Sequence, residues 1–343
     1  VPDDLDVDAN DDGYVDNVTF LVNGSPAGWS DLLWPHRWSL YLYDAYINGA
    51  LVDGYNVNLS SGGYFTVGVL CHEFGHSLGA PDFYRYYDDS TTPLGEWDLM
   101  AHNASPNPQY PSAWVQYRYF HWIDCPQISE SGTYQLNALT DHENHCYLVE
   151  SPNSEKEHFI LEYRKHSGAY DSNLPGNYNG MLIYRINLDI NRNNIIDTLE
   201  NEGGWQIGGN ADGPPDEVYV YRAGGNLNSN GNIYAAIYSP QTGRVELSDN
   251  TSPSSFLSDG MPGGLDISNI GFPLESIEFT CNLECAGTIS GDINLDEVVD
   301  ILDIILLVNY ILELSYDSCS DINQDGIINI LDIIDIINIV IES

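Results

Sequence analysis

The stretch CHEFGHSLGAPDFY, from Cys71 to Tyr84, places two histidines four positions apart, with a glutamate directly after the first. In an α-helix, residues i and i+4 lie on one face, so His72 and His76 can offer two imidazole nitrogens to one metal ion. Glu73 is then placed to take a proton from a metal-bound water rather than to bind the ion. The stretch therefore predicts a helix that carries most of a metal site.

A third ligand is available within the same stretch. Gly79 can adopt the left-handed conformation that ends a helix, and Pro81 stiffens the turn that follows. Asp82 can then swing under the metal, which makes it the leading candidate. Glu96 and Asp98 lie further along the chain, and either carboxylate is an alternative third ligand.

These ligands favour zinc and hydrolysis. Zinc with three protein ligands keeps a fourth position for water and lowers the pKa of that water to about 7. The resulting hydroxide can attack a peptide carbonyl, while Glu73 carries the proton to the leaving amine. His102 is a candidate for polarising the substrate carbonyl, with an exposed loop histidine as the alternative. His36 is a candidate for the cleft, with a structural histidine as the alternative.

The charge balance excludes some partners. The chain of 343 residues has 10 lysine and arginine residues against 51 aspartate and glutamate residues, which gives a net charge of −41. Such a chain repels nucleic acid and anionic membranes, and it has no run of about 18 apolar residues that could span a membrane. The acidic side chains suit a solvated surface of the kind found in salt-adapted proteins, and they suit calcium binding. We expect both.

Two loops near the C-terminus have the spacing of calcium ligands. Calcium prefers oxygen ligands from closely spaced Asp and Asn, with a backbone carbonyl at position 7 of the loop. DINLDEVVDILD offers Asp292, Asn294, Asp296, the Val298 carbonyl, Asp300 and Asp303. DINQDGIINILD, which begins 29 residues later, offers Asp321, Asn323, Asp325, the Ile327 carbonyl, Asn329 and Asp332. We therefore predict two calcium ions in this region.

Two further loops lie outside the C-terminal region. DINRNNIIDTLE fills all six ligand positions with Asp189, Asn191, Asn193, the Ile195 carbonyl, Asp197 and Glu200, and an Asn-rich turn is the alternative. DVDANDDGYVD offers Asp8, Asn10, Asp12, the Tyr14 carbonyl and Asp16. Thr19 occupies position 12 of that second loop, so the last carboxylate is missing unless Asp6 contributes. Calcium at either loop would be structural, because it would hold together acidic groups that otherwise repel.

The character of the sequence changes along the chain. Helix-like and strand-like stretches alternate up to about Trp122, and short apolar runs such as HFILEYRK and GMLIYRINL then predict a β-rich region. A tail rich in Asp, Ile and Leu follows Cys285 and contains an internal repeat. We predict an α/β (α+β) catalytic domain at 1–125, a β-rich region of the peptidase at 126–285 and a small all-α module at 286–343.

The cysteines fit an extracellular setting, where disulfides persist. Calcium loops and a protease-like motif favour the same setting. The connectivity does not follow from the sequence. The two candidate disulfides are Cys125 with Cys146 and Cys281 with Cys285, and the candidate free thiols are Cys71 and Cys319. Cys71 is expected to pack as a small apolar residue.

The extended motif H-E-x-x-H-x-x-G-x-x-D resembles that of the metzincin clan, with Asp in place of the usual third His, and GEWDLMA supplies Met100 for a Met-turn. Over residues 6–275, the chain resembles the immune-inhibitor-A-like family of secreted bacterial metallopeptidases. The segments that carry this resemblance are PDFY, W-D-L-M-A followed by P-S-A-W, WPHRWSL, LEYR, LPGNYNGMLIYRIN and SPSS…LDISNIG. The resemblance implies a metzincin-like catalytic domain of a secreted endopeptidase made as a zymogen. It also implies these roles: zinc on His72, His76 and Asp82, Glu73 as general base, and Met100 as a structural floor.

The two C-terminal loops carry Asp at position 12, and each is followed by one apolar segment, ILDIILLVNYIL or ILDIIDIINIVI. This arrangement closely resembles a type I dockerin module. The resemblance implies that both segments are helices and that the partner is a cohesin, in a cellulosome or another cell-surface assembly. The pairs Ile301-Leu302 and Ile330-Leu331 stand where many dockerins carry Ser or Thr. They could contact an apolar cohesin face or pack inside the protein.

Two other functions use the same residues differently. A degenerate peptidase fold could serve as a calcium-dependent adhesin or scaffold passenger without catalysis, although Glu73, both histidines and Met100 argue against decay. The C-terminal module could also dock onto its own chain instead of a cohesin. The leading prediction is a zinc endopeptidase that acts on proteins or peptides outside the cell or in a cell-surface assembly.

Overall fold

Most regular secondary structure is β. A computed structural model of the chain describes residues 1–24, 34–61, 65–87, 90–103, 107–140, 143–188, 209–283, 291–294, 296, 298–313, 320–323 and 327–342. The strands are β1 Thr19–Val22, β2 His36–Ser39, β3 Tyr46–Ile47, β4 Ala50–Leu51, β5 Gly54–Leu59, β6 Gly132–Asn137, β7 Cys146–Ser151, β8 Ser154–Arg164, β9 Gly180–Asn187, β10 Val218–Val220, β11 Leu265–Ser268 and β12 Ser276–Leu283. The α-helices are α1 Val67–Ser77, α2 Ala113–Arg118, α3 Ile301–Glu313 and α4 Ile330–Glu342. The predicted mixture of helices and strands is confirmed at this coarse level.

The N-terminal sheet supports helix α1. Its central strand is β5, which runs parallel to β1 and antiparallel to β2, and α1 packs against β5. Ser77, in the last turn of the helix, accepts side-chain hydrogen bonds from Asn17 at 2.7 Å and from Asn56 at 3.1 Å. The sheet region thereby fixes the C-terminal end of α1.

Local signals set both ends of α1, and the glycine at its C-terminal end is the one that the sequence predicted. Thr66 is the N-cap residue, and its hydroxyl oxygen accepts the N–H of Val69 at 3.2 Å, which satisfies one of the unpaired donors of the first turn. The helix ends at Ser77, and Gly79 follows with a φ of +104°. A left-handed residue at this position reverses the chain direction after the helix.

The sheet β10-β9-β8-β7 is buried on both faces. Successive residues of a strand point to opposite faces, so Leu182 and Tyr184 of β9 join one core together with Met100. Met181 and Ile183 join a second core, which is shared with the sheet β11-β12-β6. All of β9 is buried, which explains why its sequence is almost continuously apolar.

One hydrophobic core crosses the boundary predicted between residues 125 and 126. The cluster around Met100 and Trp114 also contains Leu182, Val218 and Val220 from the β-rich region. The two regions are therefore packed against each other through apolar side chains that are removed from water.

The two Ile-rich segments of the C-terminal module are helices, as the dockerin resemblance implied. Helices α3 and α4 contact each other, and the fully buried Leu307 and Ile336 form their common core with Ile293 from the first loop. None of the helices in the described parts of the chain is long and apolar enough to cross a membrane.

The described cysteines are thiols. Cys125 and Cys146 are buried neighbours, but the predicted bridge between them is not formed in the structure. A hydrogen bond with Cys125, together with burial, raises the pKa of the Cys146 thiol. Burial also raises the pKa of Cys71, which is partly buried as expected for a packing residue. Cys281 is buried. Outside the described residues lie Cys285 and Cys319.

Arg164, at the end of β8, connects the sheet to the region of α2 through buried charges. Its guanidinium donates to Asp171 Oδ1 at 2.8 Å and to Glu162 Oε1 at 3.1 Å, and all three side chains are buried. Glu162 also accepts the N–H of Ala113, at the start of α2, at 2.6 Å. Burial lowers the pKa of Arg164, but the two carboxylates raise it above its usual value, so the guanidinium stays charged.

Replacing Arg164 with alanine should lower the free energy of unfolding by about 3–5 kcal/mol, because it leaves two buried carboxylates without their cation. Urea denaturation of the full chain measures this loss. Lys165→Ala is the matched control, since Lys165 pairs at 3.3 Å with the fully exposed Glu275 and a pair of this kind contributes little. Equal losses in the two variants would contradict the role given to the buried charges.

Candidate metal site

Helix α1 presents His72 and His76 on a buried face, with ring centroids 4.8 Å apart. Nδ1 of His72 lies 2.9 Å from the carbonyl oxygen of Leu99, and Nδ1 of His76 lies 2.7 Å from that of Ala80. A carbonyl oxygen can only accept, so Nδ1 donates in both rings. In the neutral imidazoles, each Nε2 therefore offers a lone pair.

Asp82 meets both of these nitrogens. Its Oδ1 lies 3.0 Å from Nε2 of His72 and 3.4 Å from Nε2 of His76. The three side chains are buried, and their ligand atoms all lie within 4.8 Å of one another. Among the His, Cys, Asp and Glu side chains of the described residues, this is the group that could hold a metal ion. The structure thus brings together the three predicted ligands.

The separations of Asp82 Oδ1 from the two histidine nitrogens fit zinc. Ligand atoms about 2.0–2.2 Å from a tetrahedral zinc ion are about 3.3 Å from each other, close to the observed separations of 3.0 and 3.4 Å. Oδ1 of Asp82 and Oε2 of Glu73 are buried without a hydrogen-bond partner in the described part of the chain. Buried oxygens of this kind are costly unless a cation or a water molecule satisfies them.

The electrostatics of the site favour a positive charge between Asp82 and the histidines. Burial lowers the pKa of His72, but Asp82 raises it to about 9. Burial raises the pKa of Asp82, but the two histidines bring it below its usual value. A proton on His72 and a metal ion are therefore alternatives at this position. Burial raises the pKa of Glu73 above its usual value.

Met100 lies beside helix α1, fully buried. A Cβ at Gly75 would come within 2.4 Å of its sulfur, so a larger residue at this position would force the Met100 side chain to shift. The carbonyl oxygen of Met100 accepts the N–H of Phe83 at 2.9 Å. Met100 thus contacts both the helix with the histidines and the turn with Asp82, as a structural floor would.

The alternative third ligands lie outside the group of ligand atoms. Asp98 is fully buried, and its two oxygens accept the main-chain N–H groups of Met100 and Ser112. These bonds fix the loop around Met100, and they leave Asp82 as the carboxylate that faces the histidines. Glu96 is partly exposed in the 3-10 turn Gly95–Trp97, and neither carboxylate belongs to the group of ligand atoms.

Two tyrosines that the sequence did not single out surround Asp82. Tyr86 donates its hydroxyl hydrogen to Oδ2 of Asp82, so Oδ1 is the oxygen that faces the histidines. The ring of Tyr84 stacks on His72, with centroids 6.4 Å apart. Burial, reinforced by the charge of Asp82, raises the pKa of both tyrosines, which therefore remain donors. Tyr84 belongs to the segment PDFY, but nothing in the local sequence pattern signals that its ring stacks on His72.

The other two candidate histidines lie in different surroundings. Nδ1 of His36 lies 2.7 Å from the carbonyl oxygen of Trp34, and its ring packs between Trp34 and Tyr55. These contacts favour the structural alternative for His36. His102 is exposed, and its ring centroid lies 6.1 Å from that of Tyr84, so it stands at the solvent side of the site.

The N-terminal loop and the first C-terminal loop share a hydrogen-bond pattern. In both, the N–H of position 5 donates to the side chains at positions 1 and 3, and the N–H of position 7 donates to the side chain at position 5. All six distances lie between 2.8 and 3.2 Å. The residues are Asp8, Asn10, Asp12 and Tyr14 in one loop, and Asp292, Asn294, Asp296 and Val298 in the other. At position 9, Asp16 and Asp300 accept the N–H groups of Ala9 and Leu302.

The position-12 carboxylates of the C-terminal loops are buried and bind the main chain. Asp303 accepts the N–H groups of Ile293, Asn294 and Asp300, and Asp332 accepts those of Asn323 and Asn329. Asp321 is also buried, and the Ile327 carbonyl accepts the side-chain amide of Asn329 at 3.0 Å. Outside the described residues lie Asp325 and the loop with Asp189, Asn191, Asn193, Ile195, Asp197 and Glu200.

The predicted partner-binding residues point to solvent. Ile301 and Leu302 are 65% and 52% exposed, and Ile330 and Leu331 are 67% and 51% exposed. The two pairs are at equivalent positions at the starts of α3 and α4. Of the two alternatives for these pairs, packing inside the protein does not occur in the structure.

A helical H-E-x-x-H pair that meets a carboxylate from the following turn defines a class of metal site, that of the zinc metallopeptidases. Residues 4–106 match the model of a family described as immune inhibitor A peptidase M6, catalytic domain, and they contain the whole predicted site. Residues 290–341 match the dockerin type I domain. These matches confirm the resemblance to the immune-inhibitor-A-like family over residues 4–106 and the resemblance to a type I dockerin over residues 290–341, and the first match supports a metallopeptidase. Comparisons with curated proteins and with solved structures give no match.

Asp82→Ala should weaken zinc binding by more than about a hundredfold, because losing a ligand should cost more than the 10–100-fold caused by losing an outer partner of a ligand. Competition with a zinc chelator in the full chain measures the affinity. Glu96→Gln is the control, and its affinity should equal that of the unmodified chain. The reverse result, in which Glu96→Gln loses zinc and Asp82→Ala keeps it, would assign the third ligand to Glu96.

Proposed function

We propose that this protein is a zinc-dependent endopeptidase that hydrolyses peptide bonds in proteins. One observation carries the proposal: Oδ1 of Asp82 lies 3.0 Å from Nε2 of His72 and 3.4 Å from Nε2 of His76. Both histidines are buried on helix α1, as is Glu73. The donor set, two imidazoles and one carboxylate, is one that zinc uses in catalytic sites with an open fourth position.

Glu73 is the proposed general base. His72, His76 and Asp82 would hold the zinc ion, which would act as a Lewis acid that lowers the pKa of a water molecule and polarises a peptide carbonyl. Oε2 of Glu73, which has no hydrogen-bond partner in the described structure, accepts the proton of the attacking water and delivers it to the leaving amine.

Glu73→Gln should reduce casein hydrolysis by about 10²–10⁴-fold, because the amide cannot carry the proton. Its zinc affinity should stay that of the unmodified chain, since Glu73 is not a ligand. A second arm removes zinc from the unmodified chain with a chelator and restores activity with added zinc. Full activity in Glu73→Gln would refute the mechanism. A zinc-loaded, folded and inactive unmodified chain would favour the alternative, a calcium-dependent binding protein on a peptidase scaffold.

The C-terminal module is proposed to bind two calcium ions and to attach the enzyme to a cohesin, in a secreted or cell-surface assembly. The match over residues 290–341 supports this, and so does the exposure of the Ile301-Leu302 and Ile330-Leu331 pairs. The N-terminal loop with Asp8 and Asp16 is proposed as a further calcium site, because its hydrogen bonds repeat those of the first C-terminal loop.

Replacing Ile301, Leu302, Ile330 and Leu331 together with serine should weaken calcium-dependent binding to a cohesin by at least about tenfold, because exposed apolar anchors at an interface centre carry most of the binding energy. Pulldown with a panel of cohesins, with and without a calcium chelator, measures this. Leu312 and Ile341 are also exposed, at 75% and 76%, but at the other ends of α3 and α4, so their serine variant is the control. Undiminished binding by the four-residue variant would move the cohesin surface elsewhere.

A further inference from the structure

The turn that carries Asp82 is held by a distant part of the chain. We call residues 80–86 the metal turn and residues 209–216 the 209–216 segment. The segment lies more than 120 residues downstream of the metal turn, and it falls outside residues 4–106, which match the peptidase family. The contacts between the two include main-chain hydrogen bonds, a side-chain amide, an ion pair and a close approach at a glycine.

The main chain of the metal turn is hydrogen bonded to the segment at Asp82 and again four residues later, at Tyr86. The N–H of Asn210 donates to the carbonyl oxygen of Asp82 at 2.9 Å. The N–H of Tyr86 donates to the carbonyl oxygen of Ala211 at 3.0 Å. These two bonds run in opposite directions, so they fix the separation and the orientation of the two backbones.

The side chain of Asn210 adds a second connection. Its amide nitrogen donates to the carbonyl oxygens of Phe83 at 3.0 Å and Val218 at 2.8 Å, and its oxygen accepts the N–H of Val218 at 3.0 Å. Asn210 is fully buried, so these bonds are shielded from competition by water. One amide thereby connects the metal turn to the first residue of β10, a strand of the sheet that is buried on both faces.

Arg85 and Asp216 form the ion pair. Nε and Nη2 of Arg85 each donate to one oxygen of Asp216 at 2.7 Å, across 131 residues of sequence. The side chains are 8% and 4% exposed. A two-point pair of a planar guanidinium and a carboxylate restricts both distance and angle, so it fixes the end of the metal turn beyond Asp82.

Gly209 lets the two backbones approach. Its φ is +73°, and a Cβ at this position would lie 2.3 Å from the carbonyl oxygen of Asp82 and 2.9 Å from Cβ of Pro81. Its N–H donates to Oε2 of the buried Glu217, which also accepts from the indole N–H of Trp114 at 2.8 Å. The segment is therefore itself anchored in the core of the molecule.

We propose that Asn210 and the Arg85–Asp216 pair are positioning residues for the third metal ligand, so that zinc affinity depends on the 209–216 segment. The inference rests on the proposed function, in which Asp82 binds zinc. A metal site tolerates displacements of only about 0.5 Å in its ligands. Helix α1 fixes the two histidines, whereas Asp82 lies beyond the helix end. Its place is thus set by what holds the metal turn.

Asn210→Ala in the full chain tests the proposal. It removes the bonds to Phe83 and Val218 and keeps the main-chain bond to Asp82. Zinc affinity, measured by competition with a chelator, should fall about 10–100-fold, as for other outer partners of metal ligands. The absorption spectrum of the Co²⁺-substituted variant should also change, because the ligand geometry relaxes. Asn187→Ala is the matched control, since it removes another buried amide, one that donates to Ser258 at 2.9 Å. Its zinc affinity and Co²⁺ spectrum should stay unchanged.

Asp216→Asn is the second variant, for the case that Asn210→Ala does not fold. It keeps the shape of the side chain and removes its charge, and its zinc affinity should fall by about tenfold. Zinc affinity equal to that of Asn187→Ala in the folded variants would overturn the proposal, whatever their stability. Asp82→Ala, measured in parallel, distinguishes a failure of the proposed ligand set from a failure of the positioning role. If it leaves zinc affinity intact, the proposed ligand set fails. If it alone loses zinc, only the positioning role fails.

Discussion

The chain has few positively charged side chains, and the fold buries several of them in its core. Ten lysine and arginine residues oppose 51 acidic residues, yet Arg164, Arg185 and Arg222 are among the largest fully buried side chains. Arg164 lies between Glu162 and Asp171. Arg222 lies over the ring of Tyr219 at 4.4 Å, where the face of the aromatic ring attracts a cation. Burying arginine in this way requires partners placed in advance, so the core packing depends on them.

The candidate zinc site follows the same logic with a different cation. Two imidazole lone pairs and one carboxylate oxygen meet in a buried space, where like partial charges repel more strongly than in water. Such a cluster is stable only when a positive charge lies within it. Where acidic residues crowd at the surface loops, calcium is the proposed counterpart. In all three places, carboxylates need a cation nearby. In the core the cation is arginine, at the metal turn it is the proposed zinc ion, and in the acidic loops it is the proposed calcium.

The parts of the site that are set locally can be predicted from the sequence. The four-residue spacing of His72 and His76 gave the helix face, and Gly79 gave the turn, which the structure has with a φ of +104°. The sequence favoured Asp82 as the third ligand but left Glu96 and Asp98 open as alternatives. Asp98 is occupied by two main-chain N–H groups, one of them from Ser112, and only the folded chain shows that contact. Runs such as GMLIYRINL gave the strands, but not the faces or the order of the sheet.

What the sequence could not supply is the support of the third ligand, because the pairing of Arg85 with Asp216 spans 131 residues and leaves no local pattern. Because these contacts leave no local pattern, the motif alone understates how much of the chain supports the candidate zinc site. The motif that defines the family lies within residues 4–106, but the groups that hold the metal turn begin at Gly209. The core around Met100 likewise includes β9 and β10. A fragment that ends near residue 125 would keep every predicted zinc ligand and lose the contacts proposed to position Asp82. The structural unit proposed to hold zinc is therefore longer than the sequence motif that reveals it.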